Sequence, residues 1–471
     1  MAGKSKSAYI RLFESIDKQE VYDEEKIKKH LSDPALGKQK LAVTKHYLYE
    51  AIMKSLKAYY FKPSVDSQLK EMIRNAEILF YIKNRQEDSR EILYKALEMA
   101  EKYERFLVQL EIYTFLYTVD IALHKNKEEY AETTAKSYEN QKLVMAQLEN
   151  FIELRVMESK LRAVQGNELF SHRQQEELVK EVLSHKDITE KNLLSYKANF
   201  YFNAVVSKAS ADTFLDHEKS YACNKEIIRY MESDQDKLDE DISNYFLSHY
   251  HLMKDQLYLK KYDEMKQTIK KVRDVFYING PEFIQLCAYS ATAAIELAYC
   301  AQTLQLQEGL GIIKTIEKEL IPVSDKLNRL HRVEVFFGIA VVYLLADDYT
   351  KARSWINKIV IDTAPVRADL KAFSRILNLI ATYEAGDYGY LEHLVAVYKR
   401  NPVNGADFSE CEKAVLNFMN KSISVSSDKK MEAELLKLKM ALEKSKENNY
   451  EKRVYYFYDL VSWVNRKIEK T

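Results

Sequence analysis

Residues 336–365 read FFGIAVVYLLADDYTKARSWINKIVIDTAP, and this stretch decides the fold. Phe336, Ile339, Ala340 and Tyr343 recur at three- and four-residue intervals before the polar pair Asp347-Asp348, and Tyr349, Ala352, Ile356 and Ile359 recur in the same way after it. Residues so spaced share one face of an α-helix. The stretch therefore predicts two short helices joined by a tight turn, with Ala352 where the second crosses closest to the first and only a small side chain fits. One hairpin cannot bury its own apolar faces, so hairpins of this kind stack into an array.

The same spacing recurs along the chain. Ala76, Phe80, Asn84, Ser89, Leu93 and Ala96 stand at the offsets of Ile339, Tyr343, Asp347, Ala352, Ile356 and Ile359, placing a hairpin at about 67–103. Leu252, Tyr262, Met265, Ile269 and Val272 mark another, formed by helices near 239–258 and 262–275. A third spans about 367–400, with Gly386, Asp387 and Tyr388 at its turn and Leu391, Val395 and Tyr398 on its packing face. Its Tyr388 lies 39 residues after Tyr349, so the repeats are degenerate. Between these, the apolar stretch 105–124 is expected to be a well-buried first helix, and 127–165 one bent helix or two ending at Gly166-Asn167. Further helices are expected near 173–184, 188–208, 211–232, 282–304, 307–320 and 324–346.

The punctuation is sparse. Asp23 and Ser64 are expected helix caps, and Asp33-Pro34 through Gly37, Pro63, Gly280-Pro281 and Pro365 break the pattern. Ser422, Ser424, Ser426 and Ser427 form a linker-like stretch before an amphipathic helix carrying Met431, Leu435, Leu438 and Leu442 and a final helix at about 450–469 carrying Trp463. The organisation read from this is an N-terminal helical cap region (1–62), a degenerate repeat array (63–420) and C-terminal capping helices (421–471), in one elongated unit.

Composition agrees with an all-α chain. Only 10 Gly and 6 Pro punctuate 471 residues, too few for the turns of a sheet protein. The 71 basic and 71 acidic side chains cancel, which gives no global attraction to nucleic acid or an anionic membrane. Cys223, Cys287, Cys300 and Cys411 are far apart and read as free, buried or half-buried thiols suited to a reducing cytoplasm. Met1 to Ser7 is basic but leads into no apolar signal core, and the apolar run Val335 to Ala346 falls short of the roughly 20 residues that span a bilayer.

No chemistry-bearing constellation emerges. His249 and His251 are the one close histidine pair, and at i and i+2 they point roughly 200 degrees apart on a helix; the other histidines read as solvated surface. Gly309, Gly311, Lys314 and Thr315 echo a phosphate loop, but Ile313 stands where the glycine before the lysine is needed. Asp347-Asp348 and Glu24-Glu25 are explained by capping. The expectation is a non-enzymatic protein with no cofactor and no metal.

The hairpin pattern resembles the tetratricopeptide repeat in all but its opening Trp and its Gly. Beyond the motif, Leu12-Phe13-Glu14 with Ile16-Asp17-Lys18-Gln19, Tyr22-Asp23-Glu24-Glu25, Val43 to Tyr49, Lys54-Ser55-Leu56 and the closing Trp463 with Lys467-Ile468-Glu469 resemble a family of uncharacterised tetratricopeptide-like proteins from Bacteroidota. The resemblance implies a cytoplasmic α-solenoid, a right-handed superhelix of antiparallel hairpins that binds a protein or peptide partner as a scaffold. Its offsets place Arg74, Tyr81, Tyr250, Lys254 and Tyr258 on the partner-binding face, and the equivalents in the best repeat, Glu334, Phe337, Val341 and Leu344, are read as filled by packing. The 34 tyrosines read chiefly as core, with an aromatic groove as the functional counterpart. A second reading is a regulator whose helices near 23–32 and 40–61 form a helix-turn-helix, with Lys38, Lys40, Lys45 and His46 toward DNA and the array as sensor.

Overall fold

The turns between paired helices share one construction. In a computed structural model of the chain, Asn84, Leu215, Lys260, Leu304, Asp347 and Gly386 all adopt positive φ, between 51° and 69°, and in each case the following helix begins two residues later. At four of these turns the N–H of the next residue closes back five positions: Lys261 to Gln256 O, Gln305 to Cys300 O, Asp348 to Tyr343 O and Asp387 to Thr382 O, at 2.8–3.3 Å. This is the Schellman closure, which satisfies the carbonyls a helix end leaves open. The residue that closes one helix also begins the next: Asp216 and Asp348 accept from the N–H of Lys219 and Lys351.

The structure describes residues 8–30, 38–59, 64–123, 126–164, 172–233, 235, 238, 241–279, 281–361, 367–400, 409–425 and 427–470. Every regular element among them is a helix. The breaks at Asp33-Pro34 to Gly37, Pro63, Gly166-Asn167, Gly280 and Pro365, the start Met1 to Ser7, and Ser426 lie outside the described residues.

The chain divides into two units. The first comprises Met1–Tyr103 and Glu111–Thr134. Its helices α1 (Ala8–Asp17), α2 (Glu24–His30) and α3 (Lys38–Tyr59) meet through Leu12, Ile27, Leu41 and Leu48, and Asp23 accepts from the N–H groups of Glu25 and Lys26 as the expected cap. Helix α4 (Val65–Glu77), capped by Ser64, continues through a π turn (Ile78–Ile82) and packs on α5 (Gln86–Lys102). Ser89, fully buried, donates to the carbonyl of Ala76 at 2.9 Å. That is the close crossing that the spacing assigns to a small residue.

The second unit comprises Glu104–Leu110 and Ala135–Thr471. Helices α6 (Phe106–Leu123) and α7 (Lys127–Val164) belong in part to each unit. Then follow α8 (His172–Leu183), the short α9 (Lys186–Thr189), α10 (Tyr196–Ala209) with a π turn (Ser210–Phe214), α11 (His217–Met231), α12 (Ile242–Tyr258), α13 (Tyr262–Asn279), α14 (Glu282–Thr303) and α15 (Leu306–Glu319). A 3-10 turn (Ile321–Lys326) leads to α16 (Arg329–Leu345), α17 (Tyr349–Val360), α18 (Ala368–Glu384), α19 (Tyr388–Arg400), α20 (Glu410–Ser422), α21 (Asp428–Ser445), α22 (Asn449–Phe457) and α23 (Leu460–Ile468).

Chain neighbours pack as pairs, and α12 on α14, α14 on α16, α16 on α18 and α18 on α20 add a second layer of contacts between alternate helices. A glycine permits this approach, since a Cβ on Gly338 of α16 would stand 3.0 Å from the Leu297 side chain of α14, and another serves a chain-neighbour pair, since one on Gly309 of α15 would stand 3.0 Å from Val342 of α16. The echo of a phosphate loop at Gly309 is thus helix packing. Ala352, Ile356 and Ile359 are fully buried against α16.

Four expectations need correction. Helix α6 is not well buried; 28% of its apolar window is covered, because only the stripe Phe106, Gln109, Ile112, Leu116 and Val119 is turned inward. The helix expected at 188–208 is interrupted, since Ser195 caps α10 by accepting from Ala198 N–H and the Glu104 carboxylate takes the N–H groups of Tyr196 and Lys197. The final helix is two, because Asp459 accepts from Val461 and Ser462 N–H and starts α23 afresh. Not all of the remaining histidines are solvated: His217 and His331 are 7% and 5% exposed. The four cysteines are free, three buried and Cys223 half-buried. Helices α6 and α14 are long and apolar enough to span a bilayer by length and composition, and 67% of the α14 window is buried within the fold.

Candidate functional site

Tyr250, Lys254 and Tyr258 stand four residues apart on α12, which aligns them along one stripe of the helix. In the second unit this stripe lines a cavity of about 390 Å3, walled also by α7, α10, α11, α16 and Arg367.

One wall is a buried hydrogen-bonded cluster. Asp255, 2% exposed, accepts from Ser220 Oγ at 2.7 Å and Asn224 Nδ2 at 2.9 Å and lies 2.9 Å from His217 Nδ1. Burial pushes the Asp255 carboxyl up, and these bonds oppose that shift. Its donors suit a carboxylate, which assigns the Nδ1 proton to His217. His217 Nε2 is then left buried with no hydrogen-bond partner. The ring stacks on Tyr258 with centroids 4.1 Å apart.

The other wall is an ion-pair knot. Glu334 of α16, with a side chain 10% exposed, accepts from Tyr250 Oη at 2.6 and 2.7 Å and binds the Arg367 guanidinium. Arg367 sits in left-handed backbone (φ 53°) just before α18 and also grips Asp369 at 2.8 and 2.9 Å. Burial alone would raise the Glu334 carboxyl, but Arg367, followed by His331 and Lys254, holds it well below the usual carboxylate range.

Over the whole lining the charges balance, with Arg155, Arg162, Lys208, Lys254 and Arg367 against Glu158, Asp212, Asp255, Glu334 and Asp369. Arg162 pairs with Glu158 at 2.6 Å and Lys208 with Asp212 at 3.5 Å. Lys254 and Arg155 form no direct ion pair among the described residues, though Lys254 acts on Glu334 from a distance; Lys254 Nζ lies 5.4 Å over the Tyr250 ring and Arg155 5.2 Å over Phe151. The half-buried His251 has its pKa pushed down to about 3, by burial first and then by Lys208 and Lys254, with Asp212 opposing. Lys254 and Arg155 therefore offer a local contact for an anionic group within a lining that is neutral as a whole. It is not assembled for acyl transfer, because the hydroxyls of Ser207 and Ser220 are engaged with each other and Asp255 rather than with His217 Nε2. An adjoining recess of about 50 Å3 is lined by Phe337 and Val341.

Of the five candidates from the sequence, Tyr250, Lys254 and Tyr258 thus share one cavity. Arg74 and Tyr81 belong to the other unit; Arg74 pairs with Glu77 at 2.8 Å, and Tyr81, 68% exposed, stacks on Phe115. His217, Asp255 and Arg367 escaped the sequence reading, and Glu334 entered it only as packing. In the helix-turn-helix reading, Lys45 is held by Glu24 at 2.5 Å, His46 is exposed, and the side chains of Lys38 and Lys40 lie outside the described residues. His249 is buried and its Nδ1 stands 3.0 Å from the Tyr245 carbonyl. A separate group, Glu153, His185 and Asp187, has the composition of a metal site. Comparison with protein-family models, curated proteins and solved structures finds no match.

Proposed function

We propose that this chain is a non-enzymatic scaffold of the tetratricopeptide-like solenoid class, a cytoplasmic protein that binds an acidic segment of a partner protein in the cavity beside Tyr250, Lys254 and Tyr258. The observation that carries the reading is the pair of cations, Lys254 and Arg155, that stand on the cavity wall outside any direct ion pair among the described residues. A repeated left-handed turn and contacts between alternate helices support the solenoid. The family resemblance to tetratricopeptide-like proteins of Bacteroidota belongs to the same proposal.

The test is fluorescence anisotropy of the full-length protein with labelled ten-residue peptides of acidic, neutral and basic composition. Acidic peptides should bind best and weaken as salt rises, and Lys254→Glu should lower their affinity by about tenfold or more, near 1.4 kcal/mol. Equal binding of acidic and basic peptides, or an unaffected Lys254→Glu protein, would refute the reading.

A further inference from the structure

We propose that Glu153, His185 and Asp187 form a binding site for one divalent transition-metal ion, of the class of Zn2+ or Mn2+. The residues come from two places in the sequence: Glu153 is on α7, while His185 and Asp187 flank the start of the four-residue helix α9. Folding brings one ligand atom of each within 4.8 Å of the others.

Three observations point to a cation there. Asp187 is 1% exposed, and its Oδ2 is buried with no hydrogen-bond partner. Leaving a carboxylate oxygen in that state is costly unless a positive charge or a proton meets it. A Glu153 carboxylate oxygen lies within 4.8 Å of the Asp187 carboxylate oxygen and of the His185 ring nitrogen. Two carboxyl groups so placed repel when both are ionised, and a divalent ion between them removes the repulsion. Finally, His185 Nδ1 lies 3.7 Å from Asp187 Oδ2 and accepts a long bond, 3.4 Å, from the Asp187 N–H as the cap of α9. A metal ion would take over the Nδ1 lone pair from that weak cap bond.

The donor set selects the ion class. Two carboxylate oxygens with one imidazole suit borderline divalent ions, whereas Mg2+ and Ca2+ favour oxygen alone and softer ions favour thiolate. Ligand bonds of about 2.0–2.2 Å require the three atoms to draw inward. His185, whose side chain is 36% exposed, and the half-buried Glu153 have the freedom to do so. Asp187 is already oriented: Asn192 Nδ2 donates to its Oδ1 at 2.9 Å, the outer-shell support that fixes a ligating carboxylate. The consequence is local. A helix of four residues has little stability of its own, and the ion would fasten α9 to α7.

The competing arrangement is a proton shared by Glu153 and Asp187, and the two differ in experiment. The full-length protein, without an affinity tag, is stripped with chelator, equilibrated with MnCl2 or ZnCl2, dialysed and assayed for retained metal, with melting followed by circular dichroism. The expected result is about one equivalent of ion and a higher melting temperature with metal, both lost in Glu153→Gln. His185→Ala, at a more exposed position, should also lose the metal and serves if Glu153→Gln fails to fold. No retention by the unaltered protein overturns the proposal, as does retention unchanged in both variants, which would place the ion elsewhere. No metal retained by the unaltered protein, with Glu153→Gln melting at the same temperature, would identify the shared proton, because the amide donates to Asp187 as a protonated Glu153 does.

Discussion

Replacing Arg367 with Met tests the ion-pair knot directly. The substitution keeps length and apolar stem but removes the guanidinium from a glutamate whose side chain is 10% exposed. Breaking a buried pair from one side costs about 3–5 kcal/mol, because the surviving charge is left uncompensated. The pH dependence distinguishes this cause from lost packing. In the unaltered protein Glu334 is held below its unfolded value of about 4.3. Its contribution is therefore present above that value and is lost only as pH falls through the lower folded pKa. In Arg367→Met, burial, the first contribution to the Glu334 shift, acts unopposed by the guanidinium and raises the folded pKa above 4.3. Each unit of rise is worth about 1.4 kcal/mol at neutral pH, and this penalty is relieved as pH falls through the raised pKa toward the unfolded one. Urea unfolding at pH 7 and pH 4.5, with hydrogen exchange on α16 and α18 to assign the transition, should show the deficit shrinking in acid. Adding Glu334→Gln to Arg367→Met should restore much of the loss and abolish the pH dependence. A deficit below about 1 kcal/mol, or one independent of pH, would refute the assignment.

Gly386 has φ +69° and space around its Cβ position, so Gly386→Ala should lose about 1–2 kcal/mol through backbone strain alone, measured by denaturant unfolding. Leu304, also left-handed and 63% exposed, should run the other way, with Leu304→Gly neutral to slightly stabilising by thermal melting. Ala352→Leu should overpack the crossing of α16 and α17 and cost about 1–3 kcal/mol; hydrogen exchange should localise the damage to about 325–400. Ser89→Ala should cost about 1 kcal/mol by removing the bond to the Ala76 carbonyl, read as faster exchange in α4 and α5.

Apolar spacing exposes helices that bury one face, which is why the hairpin at 336–365 was legible down to its turn. It carries no information on the partners of buried polar groups. Arg367 lies 33 positions from Glu334, and His217 38 from Asp255; neither pair shares an element, so no local pattern marks them. The metal-site candidate failed to stand out for the same reason, with Glu153 remote from His185. Tyr250, Lys254 and Tyr258 were named through the offsets that the tetratricopeptide resemblance implies, and their four-residue spacing within one helix is what sets them on one stripe. Helix α6 shows the opposite error: apolar composition alone does not say how much of a helix will be covered.

The π turns have a consequence for how such a chain tolerates insertions and deletions. At Asn84 and Leu215 the closing bond spans six residues, Arg85 N–H to Leu79 O and Asp216 N–H to Ser210 O, where the other four turns span five. One extra residue is absorbed in the last coil of the helix, ahead of the left-handed position, and the next helix still starts two residues beyond it. An insertion in the middle of an α-helix rotates everything after it by about 100 degrees and would turn the packing stripe away from its neighbour. Wound into a terminal π turn, the same insertion is confined to one coil. The lengths of successive units are then free to drift by single residues while each hairpin closes on the same geometry.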